Sequence, residues 1–429
     1  MKISIRSLVG VLMVVTLFFM GGLAASAQKV EIKFAFEAGR QAEAAQYLLA
    51  DWNKTHPNIK VEIIPLPYQS RQIQQKTMLA AHSSEIDGFS HANMSEFGSA
   101  GWLLPLDKYL EKEPNWFEDF FAKHVELCKL PPAVELSPEL RGTYYAMPYD
   151  SGAMILFYRK DLYEKYGLAL PDMLEGLSWE EFVSNCKALN RPEENIYGTA
   201  LAGMKGAQQL LRIESFAVSF GGEPILNQNL EPVLTTEPWI KALQGYKDLL
   251  ETVSPPGVWE YDYAEQNTAF AQGIVGHMLQ WMVAINTVED PDASRVAGNV
   301  GYGVYVGGGK SAGGSWLLSV NAFSKHPDET WEFLEFLNNK ENAATQALLF
   351  SNDIIRKSTF SDPRFLEKFP EAQAMLKGLE GTFDSLPNIP EFAEIWNVMF
   401  DELSAAVVGI KTVYEALESG EKKIKEILE

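Results

Sequence analysis

The chain predicts an α/β fold divided into two lobes, and three observations carry that expectation. Short apolar strands alternate with amphipathic helices along most of its length. Two strand-like runs within Gly142 to Leu162, GTYYAMPYDSGAMILFYRKDL, meet at Pro148-Tyr149-Asp150-Ser151-Gly152 with no helix between them, which reads as a β-to-β crossover between lobes. The 429 residues also exceed what one hydrophobic core usually serves.

The elements follow in order. Val30, Ile32, Phe34 and Phe36 alternate as a first strand and stop at Glu37-Ala38-Gly39-Arg40. Ala42, Ala45, Leu48, Leu49 and Trp52 then share one face of a helix that His56-Pro57-Asn58 ends. Lys60 to Pro65 reads as a second strand, Gln69 to His82 as a second helix and Ile86 to Ser90 as a third strand, followed by a polar loop and a short helix closed at Gly101. Beyond the crossover, Lys160 to Gly167 makes one helix, and Ser178-Trp179-Glu180-Glu181 is a capping box that opens another. Gln209 to Phe220 is an apolar helix closed by Gly221-Gly222, and Thr236 starts a further one with Trp239, Leu243, Tyr246 and Leu250 on one face. A helix through Phe270 precedes a buried strand, Gly273 to Trp281. Val300 to Val306 and Trp316 to Val320 read as two strands linked by glycine-rich Gly307 to Gly314, and Asp328 to Glu429 is almost entirely helical in pattern. Three strands of the first lobe end in polar loops, the places where ligands sit in open α/β sheets.

Charge and targeting exclude several function classes. Lys2 and Arg6 precede an apolar run, Leu8 to Leu23, and Ala25-Ser26-Ala27 supplies the small residues of a cleavage site, so 1–27 reads as a signal peptide. No cysteine lies near that site, which argues against a lipid anchor, and no later segment has the apolar length of a membrane span. Export to a periplasm as a monomer is expected, without membrane insertion. A net charge of −21 with no Lys/Arg cluster repels nucleic acid and anionic lipid. Cys128 and Cys186 fall in different lobes, where a bridge would restrain a hinge, so two buried free thiols are expected rather than a disulfide. The six histidines lie far apart, without metal-ligand spacing, and no cofactor motif is present.

Several ordered fragments resemble one family. A Gly-x-x-Tyr-Ala-x-Pro strand, an aromatic strand and Lys-Asp-Leu occur from Gly142 to Leu162, and a polar loop before a helix ending Ala-Gly-x-Leu occurs from Ser90 to Leu103. Gly273 to Trp281 is similar to a Gly-rich strand ending in tryptophan, and Gly313 to Phe336 to a Gly-Gly segment leading into an aromatic-rich helix. In this order, behind a signal peptide, they resemble the extracellular solute-binding proteins (family 1) that deliver sugars to ABC importers, maltose-binding protein among them. Two departures stand out: Ser84-Glu85-Ile86-Asp87 replaces the usual Gly-x-Pro-Asp, and Ile354-Ile355 the usual Leu-Pro.

The resemblance implies a type II periplasmic-binding-protein fold, each lobe a mixed sheet flanked by helices, joined by crossover hinge segments. It divides the chain into 28–149 with 306–350 and 150–305 with 351–429. It implies a neutral carbohydrate or polyol as ligand, membrane permease subunits as partner, and no enzymatic activity. Carried over by position, the ligand-binding candidates are Glu37, Arg40, Tyr68, Gln69, His91 and Asn93 from the first lobe and Tyr149 and Asp150 from the crossover. Trp281 and Arg356 come from the second lobe, and Gly314, Ser315 and Trp316 from the lobe boundary. Aromatic faces pack on sugar C–H groups, while carboxylates, amides and guanidinium fork hydroxyls. Asp150 could equally hold the crossover turn, and Arg356 an interlobe ion pair.

Two alternatives remain at this level. Glycerol-3-phosphate or another charged solute would need Arg40, Arg71 or Arg356 to converge. A secreted polysaccharide-degrading enzyme would need facing carboxylates or a nucleophile. Gly309-Lys310-Ser311-Ala312-Gly313 matches the hydrolase elbow G-x-S-x-G, but a strand rather than a helix follows it.

Overall fold

The computed structural model describes residues 29–92, 94–130, 142–350, 354–385 and 389–429. The expected leader 1–27 lies outside them. Five strands build the first lobe's sheet: β1 (Val30–Glu37), β2 (Ile59–Leu66), β3 (Gly88–His91), the first half of β4 (Met147–Arg159) and, later in the chain, β8 (Ser311–Val320). β2, β1 and β3 run parallel, whereas β8 lies antiparallel between β3 and β4. The second half of β4 pairs with β6 (Val275–Trp281) on one edge and β7 (Val300–Gly303) on the other, and β5 (Tyr197–Ala200) runs parallel to β6.

β4 corrects the sequence reading. Pro148 to Gly152 is not a loop between two strands; it lies inside one continuous strand shared by both lobes. Proline lacks the N–H that a central ladder needs, and the register shifts there, between Pro148 and Asp150. Ser151 and Gly152, turn formers by propensity, are held extended by pairing with Ser315 and Gly314. Every β4 residue except Arg159 is buried, so the strand is covered on both faces rather than on one.

β8 corrects a second reading. It starts at Ser311, so Gly313 and Gly314 belong to the strand and not to a linker; the strand expected through Val306 ends at Gly303. β5 and the two-residue β9 (Thr382–Phe383), which pairs with the start of β8, were not legible. The helices sit close to expectation. The helix Trp179–Leu189 carries the Ser178–Glu181 capping box, and Gly167 ends the helix Lys160–Tyr166 with φ of 68°.

Two cores flank the crossing. Ile32, Phe34, Trp52, Leu318, Trp331 and Phe333 pack on the first-lobe side. Leu156, Phe216, Trp239, Tyr246, Leu279 and Leu403 pack on the other. Cys128 and Cys186 are both buried and unbridged. Among the described residues no helix is long and apolar enough to cross a membrane.

Candidate functional site

The candidate site lies where β4 and β8 pass between the lobes. Their antiparallel register sets Asp150 opposite Trp316, Ser151 opposite Ser315 and Gly152 opposite Gly314. Side chains alternate across a strand, so Asp150, Gly152, Gly314 and Trp316 share one face and the two serines share the other.

On that face Asp150 is fully buried. Its Oδ2 accepts from Gln41 Nε2 at 2.9 Å and meets Arg40 Nη2 at 2.6 Å. Both partners stand in the first turn of the helix Arg40–Thr55, which the β1 strand delivers. The chain of contacts continues: Ser90 Oγ donates to Gln41 Oε1 at 2.9 Å, and Gln75 Nε2 donates to the Ser90 carbonyl at 2.9 Å. A buried charge survives only when paired and hydrogen-bonded, and removing one partner of such a pair costs about 3–5 kcal/mol. Asp150 thus ties the crossing strand to the carboxyl ends of β1 and β3.

A second layer lies beside it. The Arg71 guanidinium sits 4.0 Å from the Trp316 ring centroid and 3.6 Å from Glu37 Oε2. Burial raises the Glu37 carboxyl above its usual range, and Arg71 and Arg40 pull it part of the way back. Two guanidinium groups therefore face two carboxyl groups in this wall, and a ligand need bring no charge to balance them.

Trp281 packs against the same face of β8 from β6. It is the last residue of β6, whose other members are all buried, and it alone keeps part of its surface open. Its Nε1–H donates to Gln208 Oε1 at 3.1 Å. The indole lies so close to β8 that a Cβ at Gly314 would stand 3.1 Å from it. Gly314 is needed for space, not for backbone freedom.

The remaining candidates fall elsewhere. Tyr149 is buried in the first core, its ring 5.6 Å from that of Phe36. His91 is buried with a ring nitrogen 2.8 Å from Ser319 Oγ, and burial lowers its pKa to about 3. Ser315 Oγ sits 2.6 Å from His124 Nδ1 and accepts from Ser151 Oγ at 3.1 Å, on the reverse face. Arg356 is buried, donating from Nε to the Asn338 carbonyl at 2.7 Å and pairing with Asp119 at 3.3 Å, so it does not join Arg40 and Arg71. Tyr68 and Gln69 open the helix Tyr68–Ala80, but their side chains lie outside the described residues, as does Asn93. Ser311 is buried at the start of β8, where its Oγ accepts from Met154 N–H, and no elbow forms.

Gln41, Gln75 and Gln208 belong to these contacts without being singled out by the sequence. Gln208 stands on the helix Ala207–Ser219, whose buried residues mix Gln209, Arg212, Glu214 and Ser215 with apolar side chains. Among the described residues no group of three or more His, Cys, Asp or Glu side chains could hold a metal ion.

Comparison with known proteins agrees with this fold. Residues 38–344 match the family described as bacterial extracellular solute-binding protein. A mannitol-binding protein of Pseudomonas aeruginosa is 26% identical over 403 residues, covering 88% of this chain and 88% of that one. The structure of maltose-bound T. maritima MalE3 superposes with a TM-score of 0.80 at 25% identity, over 93% of this chain and 100% of that one. An ABC transporter solute-binding protein from Agrobacterium radiobacter K84, in complex with ribitol, also gives 0.80, at 23% identity over 94% of this chain and 99% of that one.

Proposed function

The chain belongs to the bacterial extracellular solute-binding proteins, and from that premise we propose that it captures a neutral sugar or polyol between its lobes and delivers it to the membrane permease of an ABC importer. The fold is the type II arrangement of its structural neighbours. The observation that carries the ligand class is the balance of Arg40 and Arg71 by Asp150 and Glu37 beside the β4–β8 crossing, where Trp281 packs on Gly314. Hydroxyl groups, each a donor and an acceptor, suit such a wall, and the Trp281 face suits their C–H surface. The relatives that bind mannitol, ribitol and maltose support the same class. Export to the periplasm and docking to permease subunits follow from the family's role, and the protein acts by binding, without turnover.

A phosphorylated or carboxylate ligand is disfavoured because Arg356 is committed to Asp119 and to the Asn338 carbonyl. A thermal-shift panel of D-mannitol, ribitol, maltose and glycerol-3-phosphate tests the reading. We expect a rise in melting temperature with one or more of the first three and none with the last, and no product on prolonged incubation. A shift with glycerol-3-phosphate alone would sink the neutral-ligand reading.

A further inference from the structure

Helix Ala207–Ser219 buries a cation, Arg212, in the second lobe. Its Nε donates to the Leu279 carbonyl at 3.0 Å, its Nη1 to the Gln208 carbonyl at 2.9 Å and to Gln208 Oε1 at 2.8 Å, and its Nη2 to Gln280 Oε1 at 2.7 Å. No carboxylate lies within ion-pair distance of it among the described residues. A guanidinium placed inside a lobe is costly unless its donors are met, and here uncharged oxygens meet them.

That chemistry has a geometric result. Guanidinium only donates, so the side-chain oxygens of Gln208 and Gln280 must be the atoms turned toward it, and each amide has one allowed orientation. The same two oxygens accept from Trp281, Gln208 Oε1 from the indole Nε1–H at 3.1 Å and Gln280 Oε1 from the backbone N–H at 3.0 Å. Arg212 thus grips both ends of Trp281 without touching it. With its oxygen doubly engaged, half-buried Gln208 has only its amide N–H2 to offer outward.

We propose that Arg212, acting through Gln208 and Gln280, is the positioning residue that fixes the tilt of the Trp281 face, and that Gln208 reads an oxygen of the ligand as a donor only. The second half rests on the reading of the interlobe site as a sugar or polyol site; the first half does not. A sugar hydroxyl or ether oxygen placed over the indole would meet one fixed N–H2, and an aminated analogue at that position would meet donor against donor.

The test uses the mature protein labelled with 5-fluorotryptophan, with the Trp281 fluorine resonance assigned by its loss in Trp281→Phe. In ligand-free Gln208→Leu, which changes a half-buried side chain, the resonance should shift and broaden while the melting temperature stays near wild type. Gln208→Glu restores an acceptor to both Arg212 and the indole but no donor. It should return the resonance to its wild-type position, whereas affinity for D-mannitol, ribitol or maltose stays about tenfold weaker, near 1.4 kcal/mol, as in Gln208→Leu. An unmoved resonance in Gln208→Leu overturns the positioning role. Full recovery of affinity in Gln208→Glu overturns the donor role. If none of the three probes binds the wild type, the donor role falls with the neutral-ligand reading, and the positioning role is decided by the ligand-free resonance alone.

Discussion

Glu214 holds a proton that a solvated glutamate would have lost. It lies fully buried on the same helix as Arg212, with Oε1 accepting from the Ile225 N–H at 3.1 Å, and burial pushes its pKa from 4.5 up to about 8. A folded-state pKa raised above the unfolded one means that the native chain binds the extra proton, so stability falls as pH rises from about 4.5 to about 8. Buried His91, His124 and His277 act in the opposite sense, since burial lowers their pKa values to about 3, 4 and 4 and their neutral native forms lose stability below the usual histidine range. The wild-type profile mixes both. Glu214→Gln should remove only the first, gaining on the order of 2 kcal/mol at pH 7 and little at pH 4.5, as read by urea unfolding. An equal change at both pH values would mean that Glu214 is not the titrating group. At this same scale Asp150, which the sequence offered as a turn residue or a ligand contact, lies buried within the crossing strand. Its carboxylate is occupied by Arg40 and Gln41, and it holds the wall's side chains in place.

Among the elements, β8 carries the sharpest consequence. Gly314 faces the indole of Trp281 from a strand whose backbone any residue could adopt, so Gly314→Val should leave the strand intact but displace the ring. Overpacking of this kind costs about 1–3 kcal/mol. The expected result is ligand affinity weakened by about tenfold or more in calorimetry, with a native circular dichroism spectrum. Unchanged affinity would remove Trp281 from the site. β1, β2 and most helices could be read from their periods because each has one face more buried than the other. β4 and β8 were misread because their mutual antiparallel pairing overrides the turn propensity of Ser151, Gly152, Gly313 and Gly314. Among the candidates, Glu37, Arg40 and Trp281 drew notice because they end strands or follow them, whereas Trp316 lies within β8 rather than at its start. Gln41, Gln75 and Gln208 did not, since a glutamine in a helix carries no pattern until its partner across the fold is known.

At the scale of the whole molecule, binding and shape are linked. The Arg40–Asp150 wall and Trp281 belong to different lobes, so a ligand that touches both stabilises the closed arrangement by its extra contacts there. Ligand at 100 times its Kd should raise the unfolding free energy by about 2.7 kcal/mol. The same titration should lower the radius of gyration in solution scattering, and stabilisation without contraction would separate the two. The crossing itself determines how such a contraction proceeds. Among the described residues, β4 and β8 cross between the lobes as an unbroken two-stranded ribbon held by their ladder. The ribbon is thinnest where Gly152 faces Gly314, with no side chains to stiffen it. Such a strip behaves as a torsion spring: it twists by a limited angle, stores the work of closing in its own backbone, and returns that work when the cargo leaves.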